Sequence, residues 1–74
     1  MNYKRCFVEL KDNGSTRRFK FTTVLSEKEI ENIEAGGYAE VFDRLHAEAQ
    51  ILHKQDAYTI IGIFVQCERY IYKI

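Results

Sequence analysis

Residues 3–24 read YKRCFVELKDNGSTRRFKFTTV, two alternations of apolar and polar residues on either side of Asn13-Gly14. A period of two is the pattern of a half-buried strand, because successive side chains leave opposite faces of the pleat. Asn-Gly is the strongest short signal for a two-residue type I′ hairpin, whose central residues both need positive φ. With that turn, Asp12 faces Ser15, Val8 faces Phe19, Cys6 faces Phe21, and Glu9 faces Arg18 as a favourable cross-strand charge pair. A slip of one residue would send the two apolar sets to opposite faces. The expected hairpin over 3–24 therefore turns Cys6, Val8, Leu10, Phe19 and Phe21 to one side and Arg5, Phe7, Arg18 and Lys20 to the other.

Working outward, Ser26 and Glu29 stand at capping-box spacing, with Leu25 and Ile30 placed to staple the entering chain. Ile30, Ile33, Tyr38, Val41, Phe42, Leu45, Ala49 and Leu52 follow at helical spacing. They predict a helical region over 26–54, read as one long amphipathic helix with a kink or break at Gly36-Gly37 between a short first part and a longer second one, since glycine inside a helix costs ~1 kcal/mol relative to alanine. Residues 57–74 are rich in Ile, Val, Tyr and Phe and too long for one ordinary strand. A bulge at Gly62, or a turn near Cys67-Glu68-Arg69 with a strand at 57–66 and a short one at 69–74, would relieve that length. The fold class expected is α+β in a single domain over 1–74: a ββαβ(β) antiparallel sheet, strand order 2-1-3 with a possible fourth edge strand, and the helix packed on one face.

The chain has 74 residues, enough for one core, and domains of this size bury only roughly 60% of their unfolded surface. Eleven basic and eleven acidic side chains give a formal charge of zero, which argues against generic binding to DNA or to anionic membranes. The charges are unevenly spread. Lys4, Arg5, Lys11, Arg17, Arg18 and Lys20 fall in the first twenty residues, whereas Glu27, Glu29, Glu31, Glu34, Glu40, Asp43, Glu48 and Asp56 fall in 26–56. Residues 1–20 show no signal-peptide pattern and no stretch approaches a membrane span, so the expected location is the cytoplasm, with Cys6 and Cys67 reduced and buried.

No chemistry-bearing motif stands out. His46 and His53 are seven residues apart, not the one-turn spacing of a shared metal. Neither Cys lies in a CxxC pair or has a feature that would lower its pKa. There is no GxSxG, and Gly36-Gly37 lacks the context of a phosphate loop. No catalytic residue, metal or cofactor is expected, and no small-molecule substrate is evident.

The face that one helix leaves uncovered is the most informative feature. If Ile61, Ile63 and Val65 face the helix, Tyr58, Ile60 and Phe64 join Arg5, Phe7, Arg18 and Lys20 outside, an apolar patch with a basic rim of the kind that marks an interface. Tyr70 and Tyr72 would lie on the terminal edge strand, open to β-augmentation by a protein partner or a second copy. Glu27, Glu31 and Glu34 form an acidic patch that a basic surface could meet. A free-standing ββαβ organisation of this kind resembles the small phage-encoded proteins that inhibit host enzymes or CRISPR effectors. The resemblance is one of organisation, with no shared motif, and it implies action by occluding a larger protein. The expected function is a non-enzymatic protein-interaction module. The alternative is a single-stranded nucleic-acid platform, on which Phe7, Phe64 and Tyr58 stack bases while Arg5, Arg18 and Lys20 hold phosphates.

Overall fold

The computed structural model describes residues 2–53 and 58–74, with nothing stated of the His53 side chain. The expected start of the third strand at 57 and the expected end of the helical region at 54 lie outside the described residues. The elements are β1 (Tyr3–Asp12), β2 (Arg18–Ser26), α1 (Glu27–Glu34), α2 (Ala39–His53), β3 (Tyr58–Val65) and β4 (Arg69–Lys73). The strands form one four-stranded antiparallel sheet in the order β2-β1-β3-β4.

The β1–β2 hairpin pairs two residues away from the expected register. Val8 faces Phe21, Cys6 faces Thr23, Leu10 faces Phe19 and Glu9 faces Lys20 rather than Arg18. Neither Asn13 nor Gly14 has the positive φ that a type I′ turn needs. Local side-chain bonds build a wider loop instead. The Asp12 carboxylate accepts the Gly14 N–H at 2.9 Å, the Ser15 hydroxyl accepts the Arg17 N–H at 3.1 Å, and Asp12 N–H reaches the Arg17 carbonyl at 3.0 Å. These are Asx- and Ser-type turns competing with the hairpin ladder. A tertiary contact adds to them: the Asn13 side-chain oxygen accepts the Thr59 hydroxyl. Because the displacement is two residues, every side chain keeps its face.

The helical region is two helices, a short one and a longer one, so Gly36-Gly37 is a break and not a kink in one long helix. Ser26 caps α1 through a complete box: its hydroxyl accepts the Glu29 N–H at 3.1 Å, and the Glu29 carboxylate accepts the Ser26 N–H at 2.9 Å. At the other end, Gly36 has φ +90°, its N–H bonds the Ile33 carbonyl at 3.1 Å, and Gly37 N–H bonds the Asn32 carbonyl at 2.8 Å. That is a Schellman stop, which satisfies the last carbonyls and turns the chain out of the helix axis. Leu45 and Ala49 of α2 are fully buried, but Leu52 is 59% exposed, so the apolar stripe leaves the core a turn earlier than the spacing predicts.

In β3 a bulge decides which residues point where. Glu9 pairs with Gly62 but Leu10 pairs with Ile60, so one extra residue is accommodated around Ile61. Ile63 and Val65 point to the helices, and so do Tyr58 and Ile60, at 7% and 2% exposure. The outward placement expected for Tyr58 and Ile60 is therefore reversed, and Ile61 sits half-buried on the other side. A second irregularity, between Ile63 and Phe64, turns both Ile71 and Tyr72 of β4 toward the helices, where the Tyr72 ring packs against Tyr38 and Phe42 at 5.4 and 4.9 Å. Tyr72 thus belongs to the core margin and not to the open face. The core between sheet and helices is built from Val8, Leu10, Phe21, Leu25, Leu45, Ile60, Ile63 and their neighbours.

Candidate functional site

The face away from the helices is organised around the two central strands. Phe7 of β1 and Phe64 of β3 stand opposite each other in the register, and their rings stack with centroids 6.5 Å apart and planes at 24°. Tyr70 of β4 meets Phe64 edge-on at 5.0 Å. Three rings on neighbouring strands thus form a continuous band across the sheet. Phe7 and Phe64 are half-buried, Tyr70 is 42% exposed, and β-pleating holds all three in place from below.

Cations surround this band. Arg5, Lys11, Arg18 and Lys20 are exposed on β1 and β2, and Lys73 lies over the Tyr70 ring at 4.9 Å. Glu9 is the carboxylate among them. Its Oε1 accepts the Tyr70 hydroxyl at 2.6 Å, which pushes the Tyr70 phenol above the ordinary tyrosine range. Gly62 leaves room for this pair: a Cβ there would come within 3.3 Å of the Tyr70 ring and 3.4 Å of the Glu9 carboxylate. The bonded pair divides two shallow depressions. One, of about 300 Å³, is lined by Phe7, Glu9, Lys20, Phe64 and Tyr70. The other, of about 380 Å³, has Glu9 and Tyr70 on its wall and Lys11, Arg18, Thr59 and Lys73 around it.

Of the interface residues read from the pattern, Arg5, Phe7, Arg18, Lys20, Phe64 and Tyr70 share this face, whereas Tyr58, Ile60 and Tyr72 do not. The pattern missed Glu9, Lys11, Gly62 and Lys73. Glu9 and Lys11 were legible, since both share the parity of Phe7. Gly62 and Lys73 depend on the bulges, which no spacing rule locates to the residue.

The acidic patch lies on the helix side. Glu27, Glu31 and Glu34 line a depression with Lys4, Ile30 and Arg69. Glu34 is paired with Arg69 at 2.9 Å, and Glu68 holds Lys4 and Arg69, so part of the acidity is neutralised internally. The bond from Lys4, with Arg69 nearby, keeps the Glu68 carboxyl below its ordinary range. Glu29 joins α1 to α2 through Arg44 at 2.6 Å. Partial burial pushes the Glu29 carboxyl up, but the Ser26 N–H and the Arg44 guanidinium outweigh it, and the group lies below the ordinary glutamate range.

The cysteines differ from each other. Cys6 is fully buried, and burial together with Glu68 pushes its thiol up, so it packs as a small apolar side chain. Cys67, expected to be buried, is exposed in the β3–β4 turn with φ 65°. It sits where a residue in left-handed conformation reverses the chain, which takes it out of the sheet. Among the described residues, no group of three or more His, Cys, Asp or Glu could hold a metal ion, and no helix is long and apolar enough to cross a membrane.

No family model, curated protein or solved structure matches the chain.

Proposed function

We propose that this domain binds single-stranded nucleic acid across the open face of its sheet. One observation carries the reading: the stacked Phe7–Phe64–Tyr70 band on adjacent strands, set among Arg5, Lys11, Arg18, Lys20 and Lys73. Exposed rings on sheet strands stack unpaired bases of any sequence, at ~1–3 kcal/mol per base, and flanking cations track the phosphates. The formal charge of zero conceals an uneven distribution. Glu27, Glu31, Glu40 and Asp43 are exposed on the helices and would repel a polyanion there, confining it to the sheet.

The protein-docking expectation drew its strength from an apolar patch that included Tyr58 and Ile60. With both in the core, the patch loses two of its members, and the rings of Phe7, Phe64 and Tyr70, with Ile61 and Val24 beside them, stand among cations, a poor centre for a protein interface, where charged residues are depleted.

Fluorescence anisotropy with labelled single-stranded 12-mers, and with duplexes of the same sequence, tests the reading. Single strands bind at 50 mM salt and lose affinity steeply by 200 mM, while duplexes bind more weakly. Lys20→Ala lowers the salt slope by about 0.7. Absence of any signal with single strands at 50 mM salt sinks the proposal. A stable dimer seen by sedimentation alongside that absence would restore the protein-interaction reading.

A further inference from the structure

The carboxylate in the middle of a face built for phosphates calls for a reason. Glu9 stands on a central strand, with Phe7 two residues away on the same face and Lys20 opposite. A carboxylate there weakens the attraction of Arg5, Lys11, Arg18, Lys20 and Lys73 for a polyanion. The fold nonetheless provides for it in two ways: Gly62 leaves room beneath, and the Tyr70 hydroxyl fixes one oxygen at 2.6 Å. An ionised carboxylate is acceptor-only, with about four lone-pair positions over its two oxygens. The single bond from Tyr70 to Oε1 therefore leaves acceptor capacity on a carboxylate that lines the depression with Phe7, Phe64 and Lys20.

Resting on the single-strand reading above, we infer that Glu9 is the specificity-determining residue of this face and that it selects guanine. A base stacked on the Phe7–Phe64 rings brings its Watson–Crick edge beside the platform. Guanine alone among the four bases offers two adjacent donors on that edge, N1–H and the N2 amino group, which match the two oxygens of a carboxylate. Adenine and cytosine each place an acceptor nitrogen next to their amino donor, and uracil or thymine flanks its one N–H with two carbonyls. Each of these would set a lone pair against Glu9. Tyr70 acts as a positioning residue that holds the carboxylate in the plane of the stacked base.

The test uses labelled 8-mers of uridine or thymidine carrying one central G, A or C, in RNA and DNA forms, measured by anisotropy at 50 mM salt. The single G tightens binding by on the order of tenfold over the other three. In Glu9→Gln that advantage disappears and the A-containing strand gains, because a Gln amide offers one donor and one acceptor. Tyr70→Phe reduces the G advantage without abolishing it. Equal binding of all four strands to the native protein overturns the guanine inference and leaves the platform standing. A G preference that persists in Glu9→Gln overturns the assignment to Glu9. If no strand binds at all, the platform reading falls, and the inference falls with it. The G advantage seen in either the RNA or the DNA series supports the inference.

Discussion

The two hairpins of this domain were read from the same kind of pattern, and they depart from it differently. In β1–β2 the turn is wider than Asn13-Gly14 predicts and the register moves by two residues. In β3 the departure is a single residue, at the Ile61–Gly62 bulge. Side chains alternate with a period of two, so the larger error leaves each residue of the first hairpin on its expected face, while the smaller one exchanges inside and outside for half of β3. The parity of a departure matters more than its size.

The largest test of that contrast is the neighbouring pair in β3. Ile60→Ala removes a fully packed side chain and costs about 2–5 kcal/mol in urea denaturation, whereas Ile61→Ala, half-buried on the open face, costs under about 1 kcal/mol. The reverse ranking would mean that the bulge is not where it is described.

The glycines of the two hairpins give a second contrast. Gly62→Ala crowds Tyr70 and Glu9 and costs on the order of 1 kcal/mol, with loss of their hydrogen bond. At Gly14 an added Cβ meets only Asp12 Oδ1, at 3.6 Å, and φ is not positive, so Gly14→Ala is neutral or stabilising by about 0.4–1 kcal/mol. A type I′ turn would make that same change costly, so thermal melts of this variant separate the two turn geometries.

Where β2 runs into α1, Ser26→Ala costs ~1 kcal/mol through the lost cap. Glu29 adds a pH dependence whose sign follows from its lowered pKa. Its contribution is present above the unfolded glutamate pKa and is lost as pH falls through the lower folded value. Acid titration of stability should therefore flatten in this range for Glu29→Gln. The smallest effect, with no stability cost required, is spectroscopic. The Tyr70 phenol ionises above an ordinary tyrosine in ultraviolet titration, and Glu9→Gln brings it back down.

Much of the open face was legible from the alternation alone. Arg5, Phe7, Arg18 and Lys20 sit where their parity sends them, and that parity survives any even displacement of the hairpin. Phe64 was assigned to it as well; Tyr70, read as part of the terminal edge strand, joins it through its edge-on contact with Phe64. Tyr58 and Ile60 were not legible, although Gly62 was recognised as a bulge candidate. A bulge names a place where the phase changes, but only the partner strand decides which side of it keeps the original phase. Tyr72 was hidden for the same reason, since the second irregularity carries it to Tyr38 and Phe42.

By itself, the sequence determined the local chemistry of this protein: two alternating strands, a capping box at Ser26 and Glu29, a break at Gly36-Gly37, and a basic first half against an acidic middle. These depend on interactions within a few residues, where side-chain type and spacing suffice. The tertiary structure alone decided the rest. The Asn13 side chain reached across to Thr59, and pairing with β1 placed the Ile61–Gly62 bulge that set the contents of both faces. Each of those outcomes is a choice between local options of nearly equal energy, and contacts from distant strands tip the balance.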